Sequence, residues 1–289
     1  MLISTSAQAQ NLFVSDYAND TVGSGNIYEY MPSGVQSTFA SGLSGPAGLA
    51  FNSAGDLFEA DELSGNIYEF TPGGVQSAFA SGLPNPNGLA FDSAGNLFVS
   101  CLGGQAGTQI IVKITPSGVQ STFASGLYYP YALAFNSAGD LFEADQNSGN
   151  IYEFTPGGTR STFASGLYYP YALAFDSAGN LFECGLGGPN NYIYEFTPSG
   201  IKTIFSTATL SGSSGLAFNS TGNLFDVNPF YGNIFQFTPG GTRTTFASGL
   251  SSPSFIAFQG ETLPVPEPSA LALLAFGILG ITLLRRHQG

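Results

Sequence analysis

The sequence predicts an all-β fold, a six-bladed β-propeller closed by strands from both ends of the chain. The pair Leu-Phe recurs six times, first at Leu12 and last at Leu224, at steps of 45, 40, 44, 40 and 43 residues. Each copy has four short apolar runs, separated by turns rich in Gly, Asn, Asp, Pro and Ser. Four strands in each of six copies are typical of a six-bladed propeller, whereas a β-solenoid would have shorter coils.

One full copy, residues 48–83, shows the elements in order. The runs GLAF, LFEA, NIYEF and SAFA are its first, second, third and fourth strands. The segments NSAGD, ELSGN and TPGG separate them. Their Gly, Asn, Asp and Pro residues supply the backbone angles of tight turns. Each copy is therefore expected to fold as one four-stranded antiparallel blade.

The two ends of the array predict how the propeller closes. The chain enters at LFVSD, residues 12–16, which matches a second strand. It leaves at SFIAF, residues 254–258, which matches a first strand. Pairing the two completes one blade from both termini and removes an open sheet edge that would invite aggregation. The propeller domain is predicted over residues 11–260.

The repeated pattern P-x-G-L-A-F-[ND]-S-A-G-[ND]-L-F, followed by G-N-I-Y-E-F and a Pro-Gly turn, resembles NHL-type propellers over residues 11–260. It is also similar to gluconolactonase and streptogramin-lyase propellers. Resemblance to the gluconolactonases implies a divalent metal held by carboxylate and Asn side chains around the central channel. Streptogramin lyases depend on a histidine. Here the one histidine is His287, beyond the propeller, so the sequence favours a protein that is not an enzyme, with a metal-dependent lactonase as the alternative.

Charge composition excludes one class of partner. The chain of 289 residues has a formal charge of −13, and only 9% of its residues are charged. Four basic residues belong to the propeller, namely Lys113, Arg160, Lys202 and Arg243. They are too few and too scattered to follow a phosphate backbone, so nucleic acid is not expected as a partner.

Length variation is concentrated in the connection between the second and third strands. The longer versions, DYANDTVGSGN, CLGGQAGTQ and CGLGGPNN, belong to the first, third and fifth copies. Because strands alternate in direction, these connections open on the same face as the connections between blades. Variation on one face of a constant scaffold is typical of a binding surface. Drift in unconstrained loops is the alternative.

Tyrosines on that face are the candidate ligand site. The segment YYPYALAF occurs twice, at 128–135 and 168–175. Tyrosine offers a flat apolar face and a hydroxyl group, which suits stacking on sugar rings. The alternative is that the tyrosines pack the joints between blades. The candidate ligand-binding residues are Tyr128, Tyr129, Tyr131, Tyr168, Tyr169, Tyr171 and, in the preceding copy, Asn85 and Asn87.

Acidic residues of the second strands form a candidate metal site. Oxygen ligands favour calcium or magnesium over zinc. In the structural alternative, Asp16, Asp61 and Asp145 at the strand ends accept hydrogen bonds from loop amides, and the glutamates pair with tyrosine hydroxyls. The candidate metal ligands are Glu59, Glu143, Glu183 and Asp226.

The two cysteines, Cys101 and Cys184, are predicted to remain unpaired. They fall in the third and fifth copies, which are not neighbours. A disulfide requires Cα atoms within about 7 Å of one another, and the intervening blade prevents this.

In the C-terminal segment, residues 261–269 form a linker containing Pro266, Glu267 and Pro268. Residues 270–289 are predicted to form a transmembrane helix and a basic tail with Arg285 and Arg286. These parts, in this order, resemble a PEP-CTERM sorting signal over residues 264–287. The apolar stretch of 15 residues would span about 22 Å, with the arginines on the cytoplasmic side. The resemblance implies an exosortase partner, transient residence in the inner membrane, and delivery to the surface or matrix of an exopolysaccharide-making Gram-negative bacterium. An ordinary C-terminal anchor is the alternative.

The first ten residues are interpreted as the remnant of a signal peptide. Ala7-Gln8-Ala9 resembles a signal-peptidase site, but no basic start or apolar run precedes it. We therefore expect the true start of the protein to lie upstream of Met1.

Together these features predict an exported surface or matrix protein whose propeller face recognises a glycan or a partner protein. A metal-dependent, lactonase-like hydrolase and a passive structural matrix protein are the alternatives.

Overall fold

A computed structural model of the chain describes residues 10–260, apart from 18–21, 105–107, 186–191 and 208–211. Within these residues the chain forms 24 β-strands in six four-stranded antiparallel sheets. Five sheets are made from four consecutive strands, and the sixth combines strands from both ends of the chain. This arrangement confirms the six-bladed propeller predicted from the repeats.

The innermost strands of neighbouring blades contact one another around a central axis. These strands are β4 (Pro46–Phe51), β8 (Pro86–Phe91), β12 (Pro130–Phe135), β16 (Pro170–Phe175), β20 (Gly215–Phe218) and β24 (Pro253–Phe258). The second strands contain the Leu-Phe pairs. They are β1 (Leu12–Asp16), β5 (Leu57–Asp61), β9 (Leu97–Cys101), β13 (Leu141–Asp145), β17 (Leu181–Gly185) and β21 (Leu224–Asn228).

The third and fourth strands of each blade lie progressively further from the axis. The third strands are β2 (Gly25–Tyr30), β6 (Asn66–Phe70), β10 (Ile110–Ile114), β14 (Asn150–Phe154), β18 (Ile193–Phe196) and β22 (Asn233–Phe237). The outermost strands are β3 (Gln36–Leu43), β7 (Gln76–Ala80), β11 (Gln120–Ser125), β15 (Arg160–Ala164), β19 (Lys202–Ser206) and β23 (Arg243–Ser248). The outermost strands begin with exposed polar and basic residues, as expected for an unpaired sheet edge.

The closing blade has the strand order β24-β1-β2-β3, which confirms the predicted closure. Leu12 pairs with Phe258 at one end of the β1–β24 ladder, and Asp16 pairs with Pro253 at the other. In the other five blades a hairpin turn joins the innermost and second strands. These turns span residues 52–56, 92–96, 136–140, 176–180 and 219–223. We call the face that carries them the turn face and the opposite face the mouth face. The chain enters β1 and leaves β24 at the turn face.

A repeated aromatic contact joins each blade to the next. Phe58 on β5 makes edge-to-face contacts with Phe79 of its own outermost strand and with Phe91 of the next blade's innermost strand, both with ring centroids 5.0 Å apart. The same pair of contacts occurs at the Phe of every Leu-Phe pair, with centroid distances from 4.9 to 5.2 Å. Such contacts add about 0.5–1.5 kcal/mol each beyond the burial of apolar area. The repeated Phe therefore fixes neighbouring blades to one another.

Aliphatic side chains close the central channel. One residue from each innermost strand contributes to a buried ring, which consists of Leu49, Leu89, Leu133, Leu173, Leu216 and Ile256. The ring lines a cavity of only about 60 Å³. The propeller is therefore closed along its axis, and space at the mouth face ends on an apolar floor.

Replacing Phe58 by Ala should destabilise the propeller by about 3–5 kcal/mol, because a buried ring that joins two blades is lost and leaves a cavity. The measurement is chemical denaturation followed by circular dichroism. Phe230→Ala is the matched control, because Phe230 is 73% exposed, and its effect should be within about 0.5 kcal/mol. Equal effects of the two substitutions would contradict a structural role for the aromatic contact.

Candidate binding site at the mouth of the propeller

A pocket of about 280 Å³ opens at the mouth face, above the aliphatic ring. Its walls come from the starts of the innermost strands and from the connections that follow the second strands. The lining of this mouth pocket consists of Tyr17, Glu62, Asn87, Tyr131, Tyr171, Ser214, Pro229, Ser252, Pro253 and Ser254. Three of the sequence-predicted candidates, Asn87, Tyr131 and Tyr171, thus share one concave site.

β-Bulges occur at the positions of these three side chains. The register between β12 and β13 shifts between Pro130 and Leu133, which places Tyr131 in the irregular segment. Equivalent shifts occur around Asn87 and Tyr171 at the starts of β8 and β16. A bulge leaves a residue out of the regular ladder and redirects its side chain. We infer that the bulges direct the three side chains into the pocket.

Most pocket-lining residues of the innermost strands occupy one repeated position. Each lies two residues before the aliphatic residue of the ring. In chain order, this position holds Ala47, Asn87, Tyr131, Tyr171, Ser214 and Ser254. Five of the six line the pocket. One variable position therefore supplies half of the residues that line the mouth pocket.

Glycine in the GLAF motif allows neighbouring blades to approach closely at this level. A Cβ atom on Gly48 would lie 2.1 Å from the carbonyl oxygen of Asn87, and one on Gly88 would lie 2.1 Å from that of Tyr131. No side chain fits at either position. The glycines thus bring successive bulges together around the mouth.

Tyr131 and Tyr171 form a stacked pair on the wall of the pocket. Their ring centroids are 3.9 Å apart with an interplanar angle of 32°. The hydroxyl groups of the two tyrosines are close enough to influence one another's pKa. Burial is the main cause of a raised pKa at both hydroxyls, and the negative charge of Glu62 raises them further. Both tyrosines are therefore neutral at physiological pH and offer an apolar surface with hydroxyl groups at its edge.

Asn87 contributes an unused hydrogen-bond acceptor. Its side chain is 3% exposed, lines the pocket, and has no hydrogen-bond donor at Oδ1 among the described residues. A buried amide oxygen without a donor costs about 1–3 kcal/mol. The hydroxyl group of a ligand or a bound water would satisfy it. Asn87 therefore favours a ligand that donates a hydrogen bond inside the pocket.

The other four candidate tyrosines are exposed on the rim. Tyr128, Tyr129, Tyr168 and Tyr169 are 52%, 38%, 54% and 44% exposed. Tyr129 and Tyr169 have φ angles of +67° and +46°, in the left-handed region that bulky residues rarely adopt. Asn85 has the equivalent conformation, with φ of +53°. All three immediately precede the proline that begins an innermost strand.

Main-chain contacts explain this left-handed conformation. The carbonyl oxygens of Tyr128 and Tyr129 accept hydrogen bonds from the backbone amides of Asn147 and Gln146, both 3.0–3.1 Å long. In the second blade Gly45, with φ of +80°, occupies the corresponding place. The fold therefore prefers Gly or Asn here, and each tyrosine is present at a cost of about 1–2 kcal/mol.

Aspartates at the ends of the second strands hold the connections between blades. Asp61 Oδ2 accepts from the Ser44 amide at 2.6 Å, and Asp145 Oδ2 accepts from the Tyr128 amide at 2.7 Å. Asp16 accepts from two backbone amides, at 2.9 and 2.8 Å. These bonds confirm the structural interpretation of the aspartates and fix the base of the tyrosine rim.

The four candidate metal ligands are dispersed over four interfaces between blades. Glu59 lies on the face of β5 that carries Leu57, and Leu57 packs against Phe13 of the closing blade. Glu143, Glu183 and Asp226 have the equivalent place in three later interfaces, beside Leu141, Leu181 and Leu224 respectively. In the residues that the structure describes, no three His, Cys, Asp or Glu side chains are grouped closely enough to hold a metal ion. The structure thus does not bring these carboxylates together.

The prediction that these glutamates pair with tyrosine hydroxyls is wrong for Glu59 and Glu143. Neither carboxyl group has a hydrogen-bond partner among the described residues. The hydroxyls of the opposing tyrosines, Tyr68 and Tyr152, accept instead from the amides of Asn66 and Asn150, at 3.0 and 2.9 Å. Each tyrosine hydroxyl is thus bonded by an asparagine of its own third strand and not by the glutamate of the second strand.

Burial raises the pKa values of the four carboxyl groups and favours their protonated forms. It raises the pKa of Glu183 to about 8, although Lys202 lowers it in part. It raises the pKa of Asp226 to about 7, against the effect of Arg243. The pKa values of Glu59 and Glu143 are also raised well above the usual range, first by burial.

Cys101 and Cys184 are both buried and unpaired, as predicted. Burial raises the pKa of Cys101 to about 12 and that of Cys184 well above its usual value. Neither thiol therefore has the thiolate character needed for nucleophilic or redox chemistry.

Several pocket residues were not among the sequence-predicted candidates. Ser214 and Ser254 could have been found by aligning the copies, because they align with Asn87 and Tyr131. Glu62 directly follows the aspartate at the end of its second strand. Tyr17 has the matching place after β1. No feature of the sequence predicts that the side chains of Glu62 and Tyr17 line the pocket.

Comparison with known proteins defines the sorting signal. The PEP-CTERM protein-sorting motif matches residues 264–286, in agreement with the resemblance noted in the sequence. The motif identifies the chain as an exported protein that is processed at a membrane. None of the curated protein sequences matches the chain significantly.

Similarity to solved structures shows the fold. A chain of a nidogen/laminin complex has a TM-score of 0.75 at 18% identity, over 86% of this chain and 98% of that one. An inactive virginiamycin B lyase from Staphylococcus aureus, solved with quinupristin, has a TM-score of 0.64 at 16% identity, over 90% and 94%. A gluconolactonase from Xanthomonas campestris has 0.64 at 18%, over 73% and 78%. The fold of this chain is therefore that of a six-bladed propeller, and the chain carries a PEP-CTERM motif.

Some predicted features lie outside the described residues. They are the signal-peptide remnant, the sorting residues Pro266, Glu267, Pro268, Arg285 and Arg286, the C-terminal helix, and parts of the three long connections. Across the described ranges, no helix has the length and apolar character needed to cross a membrane.

The buried carboxyl groups should make the propeller more stable in acid than in mild alkali. Their folded pKa values exceed the ordinary values of 4.5 for Glu183 and 3.8 for Asp226. The stabilisation is therefore complete below about pH 4 and is lost as the pH rises through about 7 to 8. We expect the melting temperature, measured by calorimetry at constant ionic strength, to fall from pH 5 to pH 8.5.

Glu183→Gln should reduce this pH dependence, and Glu195→Gln, a partly exposed position in the same blade, should not. A melting temperature that rises over this range in the unmodified protein would show that the carboxyl groups are ionised in the fold.

Replacing both left-handed tyrosines by Asn should raise stability by up to about 1 kcal/mol per site, because Asn tolerates a positive φ and already occupies this place at Asn85. The measurement is the free energy of unfolding of Tyr129→Asn/Tyr169→Asn. Tyr128→Asn, a neighbouring change without a left-handed conformation, is the control and should give no gain. A loss of more than about 1 kcal/mol in the double variant would show that these tyrosines pack the joints between blades.

Proposed function

We propose that this exported propeller binds a saccharide of an extracellular polymer at the mouth pocket. The observation that carries the proposal is the stacked pair Tyr131 and Tyr171 in a concave site. Sugar rings have an apolar face made by their C–H groups and hydroxyl groups around the edge. A flat aromatic wall with hydroxyl groups at its border is complementary to that pattern.

The volume of the pocket suits a short part of such a polymer. At about 280 Å³ it is close to the lower end of the range of small-molecule sites, about 300–1,000 Å³. One or two sugar units would fill it. The aliphatic ring closes the floor, so the remaining polymer has to leave across the rim.

The rim supplies a second contact surface. Tyr128 and Tyr129 in one blade, and Tyr168 and Tyr169 in the next, are exposed where a polymer would leave the pocket. Tyr129 and Tyr169 are present at a cost to the backbone, which supports a function in binding. Asn85 continues the rim into the preceding blade.

The sorting motif supports a ligand outside the cytoplasm. On this proposal an exosortase processes the tail, and the propeller reaches the surface or matrix of a Gram-negative bacterium that makes an exopolysaccharide. That exopolysaccharide would be the natural ligand. The nidogen/laminin structure is the observation that favours a second candidate, a partner protein bound by the same face. The gluconolactonase structure favours a lactonase-like hydrolase in the same way.

The test is binding of the full chain, held in a detergent without a sugar headgroup, to an array of polysaccharides that includes the exopolysaccharide of the producing bacterium. Tyr131→Ala/Tyr171→Ala should weaken binding at least about tenfold, a loss of ~1.4 kcal/mol. Tyr68→Ala, a tyrosine of a third strand outside the pocket, is the matched control and should bind normally.

Absence of binding by well-folded protein would overturn the saccharide proposal. Turnover of lactones that depends on added calcium or magnesium would then favour the hydrolase.

A further inference from the structure

We infer that the saccharide bound at the mouth is uncharged and offers hydroxyl groups as hydrogen-bond donors, so that uronate-rich or otherwise acidic polymers are excluded. This inference rests on the proposed function and names the chemical class of its ligand. It follows from three features of the mouth pocket: its charge, the position of the basic residues, and the kind of hydrogen-bonding groups it leaves available.

The mouth pocket carries negative charge. Glu62 lines it, and its charge acts on Tyr131 and Tyr171, whose pKa values it raises in addition to the effect of burial. A second carboxylate brought into a partly enclosed site would be repelled, because the attraction or repulsion of two charges is strong where water is scarce.

Among the described residues, no lysine or arginine lines the mouth pocket. The four basic residues of the described chain lie on third or outermost strands, away from the inner-strand residues that line the pocket. Each is placed over an aromatic ring, at 5.2, 4.9, 4.4 and 4.7 Å from the centroid for Lys113, Arg160, Lys202 and Arg243. Lys113 is also 3.7 Å from Asp92, and Arg160 donates to the Gly126 carbonyl oxygen at 3.1 Å. An acidic sugar would therefore meet no positive partner.

The pocket contains a buried polar atom that requires a hydrogen-bond donor. Asn87 Oδ1 is an acceptor without a donor among the described residues. The Ser214 hydroxyl already donates to the Pro253 carbonyl oxygen at 3.1 Å. A sugar hydroxyl can donate to Asn87, whereas an ionised carboxylate or sulfate cannot.

The experiment compares uncharged and acidic probes on the full chain. Isothermal titration with uncharged gluco- and galacto-oligosaccharides, and with alginate and polygalacturonate oligomers of equal length, measures the ratio of affinities. We expect the uncharged probes to bind at least about tenfold more tightly. Binding of the uncharged probes should be nearly insensitive to a change from 0.05 to 0.5 M NaCl, whose Debye lengths differ by about threefold.

Glu62→Gln tests the origin of the discrimination. It should raise the ratio of acidic to uncharged affinity by about tenfold, because it removes the charge and preserves the shape. Glu69→Gln, on the third strand of the same blade, is the matched control and should leave the ratio unchanged. Asn87→Leu should weaken binding of uncharged probes, and melting temperatures verify that each variant is folded.

The outcomes separate this inference from the proposed function. Tighter binding of alginate than of uncharged probes would overturn the inference that the ligand is uncharged, and would leave the proposed saccharide site in place. An unchanged ratio of acidic to uncharged affinity in Glu62→Gln would also contradict the inference. Failure of well-folded protein to bind any saccharide would overturn both.

Discussion

The architecture depends on the edge-to-face contact made by one phenylalanine in each Leu-Phe pair. Each ring touches its own outermost strand and the innermost strand of the next blade, at nearly the same distance in all six blades. Because the contact is repeated, the angle between neighbouring blades is repeated as well, and six such steps close the circle. Closure then needs only the pairing of β1 with β24, which supplies the last blade from the two ends of the chain.

A scaffold fixed in this way can vary at its mouth at little structural cost. The same strand position holds Ala47, Asn87, Tyr131, Tyr171 and Ser214 in successive blades, while the aliphatic residue two places later remains Leu or Ile throughout. The bulges at Asn87, Tyr131 and Tyr171 take these residues out of the ladder. The tyrosine rim departs from the local preference for Gly or Asn, which distinguishes it from the rest of the repeat.

The sequence predicted those features that follow from a local rule. Copy spacing fixes the number of blades, and the partial copies at the two ends fix the closure. Asp61 and Asp145 lie at strand ends, where the backbone amides of the adjoining connections need acceptors. The membership of the pocket could not be predicted in the same way. Glu62 and Tyr17 approach Tyr131 and Tyr171 only through the curvature of the closed ring. The predicted pairing of Glu59 with a tyrosine hydroxyl is wrong because the Tyr68 hydroxyl accepts from the Asn66 amide instead, at 3.0 Å.

Both ends of the propeller lie on the same face of the molecule. β1 starts and β24 ends at the turn face, where Leu12 pairs with Phe258, whereas Tyr17, Tyr131 and Tyr171 line the pocket at the mouth face. The two ends of the propeller and the mouth pocket therefore lie on opposite faces and do not compete for surface. If the chain were attached through either end, the proposed binding site would face away from the point of attachment. In a layer of such molecules attached through their C-terminal ends, the tyrosine-lined pockets would all open on the outer side of the layer.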